Sequence, residues 1–241
     1  MLKKWATRRG RRPKVVPKHL EGFFFILRTG SPWRELPSKF GPWSTIYSQF
    51  RRWCLCGLWD ALLVWLAQQA KGTLRHVDGS YIKLHQHGLQ GSKKTREAEA
   101  IGLSRGGMTT KLLAAVDEIG NLCAFVLTSG NLHDQTAARQ MIDAFRDIHF
   151  VGDKGFDSLS FRMALYEHGA TGSTIPRKGF LKLDDQPAPF DRSIYGHRHE
   201  VENFFQRLKA YKRIALRSDK TASSLAGFIV FASFLAHLLH L

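Results

Sequence analysis

Cysteine is scarce in this chain, with three residues among 241. Cys54, Cys56 and Cys123 are too few and too unevenly placed for a disulfide framework. None of them forms the Cys-x2-Cys spacing of a zinc site. We therefore expect three reduced cysteines in a cytoplasmic protein. Internal repeats and low-complexity domains are also absent, and the hydrophobic fraction of 44% predicts a folded protein.

Acidic residues are few as well. The sequence holds 20 Asp and Glu against 36 Lys and Arg, which gives a formal net charge of +16. A field of that sign attracts polyanions. The charge therefore predicts either nucleic acid or an anionic membrane surface as the partner.

Long apolar runs are nearly missing. The N-terminal residues contain no apolar signal core, and only residues 225–241 form an apolar segment of any length. Ser233, His237 and His240 interrupt that segment, which is short for a bilayer span. We predict a buried terminal helix there and no membrane partner.

The N-terminal part of the chain divides into a basic arm and a helical domain. Residues 1–18 carry eight Lys or Arg and no acid, which fits a solvated arm and equally an arm that lies on phosphates. Residues 19–71 have helical periodicity interrupted by turn signals. Their third predicted helix, residues 44–54, places Arg51 and Arg52 beside aromatic residues. This pattern suits a helix-turn-helix DNA-binding domain, although helical trios are common in other proteins.

From residue 72 onward, short strands alternate with helices, a pattern typical of an α/β layer. Two of the predicted strands, residues 74–78 and 149–153, end in Asp78 and Asp153. Ligands of α/β sheets bind in the crevice at the carboxyl ends of the strands. Both acids are therefore candidates for one shared site.

A third acid lies in the run Tyr195-x2-Arg198-x3-Glu202-x6-Lys209. An α-helix advances roughly 100° per residue, so the four positions fall within an arc of roughly 60°. Apolar residues occupy a neighbouring arc, as a core-facing stripe does. We predict one helix that packs through one face and displays an acid, two cations and a phenol on another.

Each acid also has a purely structural explanation. Asp78-Gly79 is a common turn dipeptide, Asp153 can cap the turn after it, and Glu202 can pair with Arg198 along a helix. Taken together, three carboxylates from separate elements are the minimum that holds two Mg²⁺ ions with positions left open for phosphate oxygens and water.

Several other polar residues have two interpretations. His85-x-His87 is either a metal-binding pair or, as we prefer, part of a mobile surface loop. His133-Asp134 is predicted to cap the helix that begins near residue 136, since Asp is a good cap residue. Four cations after the signature run form either a solvated face or a track for DNA: Lys212, Arg213, Arg217 and Lys220.

The run from Tyr195 to Lys209 matches, at every spacing, the Tyr-x2-Arg-x3-Glu-x6-Lys signature of bacterial insertion-sequence transposases of the DDE class. The chain resembles that family from about residue 20 to its end. The resemblance includes residues 76–80, 103–107, 130–134, 152–156 and 213–220, with Trp33-Arg-Glu-Leu36 and Gly41-Pro-Trp43 in the helical part.

The resemblance implies an RNase H-like catalytic domain over residues 72–241, after the small helical domain. It implies that Asp78, Asp153 and Glu202 are the catalytic residues and the ligands of two Mg²⁺ ions, which Mn²⁺ can replace. Residues expected to contact DNA are Tyr195, Arg198 and Lys209 by the resemblance, and Arg51, Arg52, Lys212 and Arg213 by their position and charge.

The implied activity is transposition: cutting transposon-end DNA and joining its 3′-OH to target DNA. The implied partners are double-stranded DNA, both terminal inverted repeats and target, and a second copy of the chain on DNA in the bacterial nucleoid. Relatives typically begin with a further short helical segment, where this chain has the basic arm. Two alternatives stay open: a catalytically inactive or domesticated DNA-binding relative, and a nuclease without strand transfer.

Overall fold

The computed structural model describes residues 16–89, 92–176 and 190–239. Residues 1–15 of the predicted basic arm lie outside the described residues. Described helices are α1 Val16–Thr29, α2 Trp43–Leu55, α3 Leu58–Gln68, α4 Lys93–Ala98, α5 Asp134–Arg139, α6 Leu159–Glu167, α7 Arg192–Gly196, α8 His199–Lys209, α9 Lys212–Ala215 and α10 Ala222–Leu239. Described strands are β1 Leu74–Leu84, β2 Gly102–Ser104, β3 Gly107–Val116, β4 Leu122–Ser129, β5 His149–Gly152, β6 Gly172–Thr174 and β7 Leu216–Arg217.

The strands form one mixed sheet, which confirms the predicted α/β class. Its order is β2-β3-β1-β5-β6, with β4 on β3 and β7 on β1. β1 is antiparallel to β3 along most of its length and parallel to β5 only from Leu74 to Val77. β7 joins β1 later, at Lys83 and Leu84. In the described part of the chain, residues 78–82 therefore have a strand partner on one side only, and we call the gap beside them at the middle of β1 the cleft.

Alternation along β1 sends side chains to two hydrophobic layers. Ile82 packs in the cluster that contains α8, α10 and the N-terminal helices. Val77 packs in the second cluster, with α5 and α6. His76, Asp78 and Ser80 share the parity of Ile82 and therefore face α8.

The N-terminal helices pack against the C-terminal one. Phe50 of α2 stacks on Phe228 of α10 with ring centroids 4.3 Å apart. A Cβ on Gly227 of α10 would lie 2.8 Å from the Trp59 ring, so only glycine lets α3 approach this closely. The helical segment shares one core with α10, and a domain boundary at residue 71 remains a prediction.

The terminal helix is part of that core, as predicted. α10 begins at Ala222, and its 18 residues have a mean hydropathy of 1.9, enough by length and composition alone to cross a membrane. Yet 56% of its residues are buried inside the protein, among them Leu225, Phe228 and Ile229. A core helix passes the same test of length and composition, and the packing of α10 identifies it as one.

Candidate active site

Asp78 and Asp153 lie side by side at the gap in the sheet. Val77 pairs with Gly152 in the parallel ladder of β1 and β5, so the next residue on each strand is one of the two acids. Asp78 Oδ1 accepts the amide of Gly79 at 2.7 Å, and Asp153 Oδ1 accepts the amide of Gly155 at the same distance. These bonds fix the orientation of both carboxylates at the mouth of the cleft.

Two short helices, rather than the single predicted one, carry the signature residues. α7 ends at Gly196, and α8 begins at His199. The prediction that Tyr195 and Glu202 share one helix is therefore wrong. Glycine weakens helices because its backbone has the most conformational freedom to lose. Tyr195 instead packs on Phe190, with ring centroids 5.2 Å apart.

Arg198 joins two of the three predicted catalytic acids. Its Nη2 lies 2.5 Å from Asp78 Oδ2, and its Nη1 lies 3.2 Å from Glu202 Oε1. The side chains of Arg198 and Asp78 are 20% and 21% exposed, whereas that of Glu202 is 53% exposed. The guanidinium thus links the sheet to α8 across the cleft.

The pKa of Asp78 reflects its burial and its charged neighbours. Burial raises the pKa of Asp78 above its ordinary value, and the nearby charge of Asp153 raises it further, although Arg198 and the Gly79 amide act in the opposite direction. Because a neighbouring carboxylate disfavours ionisation, a cation between the acids stabilises their charged forms.

Lys209 lies on the same face, about two helical turns beyond Glu202. Its Nζ donates to Ser80 Oγ at 2.6 Å, two residues beyond Asp78 on β1. Ser80 was not predicted as a site residue, since only the pairing of α8 with β1 reveals its role. Asp78, Glu202, Arg198 and Lys209 therefore line one face of the cleft.

Of the predicted DNA contacts outside this face, some are exposed and others are already hydrogen-bonded within the protein. Arg52 and Lys212 are exposed. Arg51 Nη1 donates to Thr221 Oγ1 and Ser224 Oγ, both at 2.8 Å, and so ties α2 to the start of α10.

Arg213, also predicted to contact DNA, is buried and paired within the protein. Its Nε lies 2.9 Å from Asp219 Oδ2 and its Nη2 lies 2.8 Å from Oδ1. Arg217, predicted to extend the basic surface, is fully buried as well. Only Lys212 and Lys220 of that predicted group of four remain exposed.

A second ion pair lies on the opposite face of β1. Lys111 Nζ contacts Asp134 Oδ1 at 2.7 Å and the Leu132 carbonyl, and its side chain is 5% exposed. The same Asp134 oxygen lies 3.1 Å from a Cβ built on Gly79, directly behind Asp78. The predicted cap is confirmed for His133, which accepts the Gln135 amide at 3.4 Å, and is wrong for Asp134, which is the first residue of α5.

Metal binding can be tested against this arrangement. The described residues contain no group of three or more His, Cys, Asp or Glu side chains close enough to share one metal ion. The donor set nevertheless fits a hard cation, because it consists of carboxylate oxygens and includes two adjacent aspartates. Arg198 supplies positive charge to this set, since its guanidinium contacts both Asp78 and Glu202.

Comparison with known families places this geometry in context. Residues 1–63 match a family described as "Putative transposase of IS4/5 family", and residues 69–238 match one described as "Transposase DDE domain". No solved structure matches the chain.

Individual relatives agree with the family models. The chain is 31% identical over 126 residues to a "Putative transposase for insertion sequence element IS6501" from Brucella ovis, covering 51% of this chain and 92% of the relative. It is 30% identical over 90 residues to "Uncharacterized protein y4sN" from Sinorhizobium fredii, covering 36% and 72%. It is 40% identical over 55 residues to "Insertion element IS402 uncharacterized 16.2 kDa protein" from Burkholderia cepacia, covering 22% and 37%.

The family explains the fold and the organisation of the chain together. A DDE domain matched over residues 69–238 accounts for the mixed sheet with helices on both faces, which is the expected RNase H-like architecture. The helical segment before it lies largely within residues 1–63, which match the separate family described as a putative transposase. The chain belongs to the family of transposases with a DDE domain, which it matches over residues 69–238.

Proposed function

We propose that this transposase cuts transposon-end DNA and joins the freed 3′-OH to target DNA in the cleft at the middle of β1, with Asp78, Asp153 and Glu202 as ligands of two Mg²⁺ ions. The observation that carries the proposal is the register of β1 and β5. It places Asp78 beside Asp153, while Arg198 brings Glu202 to the same point.

The chemistry consists of two displacements at phosphorus. Water first cuts a phosphodiester at the end of the element and leaves a 3′-OH. That hydroxyl then attacks a target phosphodiester, forms the new ester bond and releases a target 3′-OH. Divalent cations, when bound, activate the attacking oxygen and neutralise charge on the leaving one.

The chain's own residues position the scissile strand. Lys209, which is anchored on Ser80, and Arg198, which immediately precedes α8, lie one on each side of Glu202 in the chain and are proposed to hold neighbouring phosphates. Arg198 also offers a planar fork of donors that matches phosphate oxygens. Tyr195 and the exposed Arg52 and Lys212 are proposed as further DNA contacts.

The proposed partners are the terminal inverted repeats, the target duplex and a second copy of the chain. Two ends of an element have to meet before joining, and a homodimer on DNA in the bacterial nucleoid meets that need. The net charge of +16 supports tight, salt-dependent association with duplex DNA.

The decisive experiment incubates the protein with labelled ends of its own element, supercoiled plasmid and Mg²⁺. We expect nicking at the ends and label joined covalently to the plasmid. Hydrolysis without joined product would identify a nuclease. Binding without nicking would identify an inactive relative.

Replacing Arg198 with Ala should raise the affinity of the protein for Mn²⁺ about tenfold or more in the absence of DNA. The reason is that Arg198 competes for Asp78 and Glu202, and a hydrogen bond to a charged group contributes about 1.5–3 kcal/mol. Titration calorimetry measures the affinity directly. Lys209→Ala is the matched control, since it removes the same charge from a lysine bonded to a hydroxyl. Equal affinities for the two variants would contradict a direct competition by Arg198.

A further inference from the structure

A cleft of about 510 Å³ lies at the C-terminal end of β1. Its walls are the turn after α1, the turn after β1 and the segment from α9 to residue 220. We call it the α9 cleft. Gly30, with a φ of +69°, lets the first wall approach the third, since a Cβ there would lie 3.2 Å from Lys212 Cβ. The cleft therefore depends on a conformation that favours glycine.

The charge in the α9 cleft is positive and uncompensated. Lys212 and Lys220 line it and are exposed, and neither is ion-paired with a carboxylate of the described chain. None of the described lining residues is Asp or Glu. The nearby carboxylate of Asp219 is buried and bound to Arg213 in the floor. Two ammonium groups thus face solvent, and no carboxylate among the described residues pairs with them.

Two histidines add hydrogen-bond donors to the same walls. His85 Nδ1 accepts the amide of His87 at 3.2 Å, which places the proton of the neutral ring on Nε2. The two rings meet edge to face with centroids 4.4 Å apart. The predicted surface loop is thus an ordered 3₁₀ turn over Gln86–Gly88, and His85 presents an N–H donor rather than a lone pair.

The position of the cleft relative to the acids is set by β1 itself. His85 follows Asp78 by seven residues of extended chain, which spans on the order of 23 Å at about 3.3 Å per residue. Lys209, bound to Ser80, lies between the two points. Duplex DNA advances 3.4 Å per nucleotide on each strand, so the separation equals about seven base pairs.

We propose that the α9 cleft binds the phosphodiester backbone of the duplex, about seven base pairs from the phosphate held at Asp78. The inference rests on the proposed function and specifies where the DNA runs beyond the acids. Lys212 and Lys220 supply the charge, and His85 supplies a directional donor. The cleft fixes the angle at which the duplex leaves the catalytic acids, because two distant backbone contacts orient a rod better than one.

The test compares Lys212→Ala/Lys220→Ala with Lys71→Ala/Arg146→Ala. The second pair removes the same net charge from exposed residues near the opposite end of β1. Binding of a labelled 30-base-pair duplex is measured between 50 and 300 mM salt. The loss of two phosphate contacts should make the negative slope of log K for DNA binding against log salt concentration shallower by about 1.8. It should also weaken binding at least tenfold at 0.1 M salt. The control pair should leave the slope unchanged.

Hydroxyl-radical footprinting on the element's end locates the contact. We expect protection about seven base pairs from the nick in the wild type and in the control, and loss of that protection alone in the cleft variant. Wild-type slope and footprint in the cleft variant would overturn the cleft while leaving the proposed function intact. Failure of the wild-type protein to bind DNA would overturn both. Circular dichroism of each variant checks that the fold is retained.

Discussion

Asp153→Asn should lower the rate of end cleavage about a thousandfold or more, the scale expected when one member of a group that acts as a unit is removed. Asparagine has nearly the same shape, and its carbonyl oxygen can still accept the Gly155 amide that Asp153 accepts at 2.7 Å. The substitution removes only the negative charge beside Asp78. Cleavage of labelled element ends in Mg²⁺, at saturating protein, measures the rate.

DNA binding separates this result from a folding defect. The variant should bind end DNA as tightly as the wild type or more tightly, because one repulsive charge near the phosphates is gone. Asp143→Asn, at an exposed acid in the turn Ile142–Phe145, is the matched control and should cleave normally. Wild-type cleavage by Asp153→Asn would remove this residue from the catalytic group. Asp78→Asn should behave in the same way as Asp153→Asn.

The two aspartates could be found from the sequence because local signals define them. Each follows a short apolar run, but only Asp153 comes at the end of its strand. The predicted strand end at Asp78 is wrong, since β1 continues through this residue to Leu84. The structure adds what the pattern cannot contain, namely that Val77 and Gly152 are in register. Glu202 was identified by its spacing from Arg198, which a helical turn preserves even though α7 and α8 are separate helices.

The predictions that failed have a common physical cause. The sequence shows which side chains are charged, but it does not show which of them are buried. Arg213 and Arg217 lie in a basic segment between exposed lysines, and only the packing of α9, β7 and α10 buries them. The ion pair between Lys111 and Asp134 could not be predicted from the sequence either, because its partners come from β3 and α5 and meet only in the folded protein. Register between strands and burial of charge are tertiary properties.

Asp219→Ala should lower the free energy of unfolding by about 3–5 kcal/mol, the range expected when a buried ion pair loses one partner. Both side chains of the Arg213–Asp219 pair are 5% exposed, so water cannot replace the lost carboxylate. Arg217 lies beside them and donates to the Asp219 carbonyl at 2.9 Å. Burial lowers the pKa of Arg217 to about 10, with the charge of Asp219 opposing the shift. Urea unfolding monitored by circular dichroism measures the loss.

The same variant decides whether Arg213 is a structural residue or a DNA contact. If Arg213 served DNA, freeing it from Asp219 would strengthen DNA binding and leave stability nearly unchanged. If it serves the fold, stability falls, and the double variant Arg213→Met/Asp219→Leu recovers most of it, because apolar residues of similar size replace buried ion pairs at little cost. Lys220→Ala, at the exposed neighbour, should leave unfolding unchanged and weaken DNA binding. We expect this opposite pair of outcomes, since residues 219 and 220 point respectively into the core and into the α9 cleft.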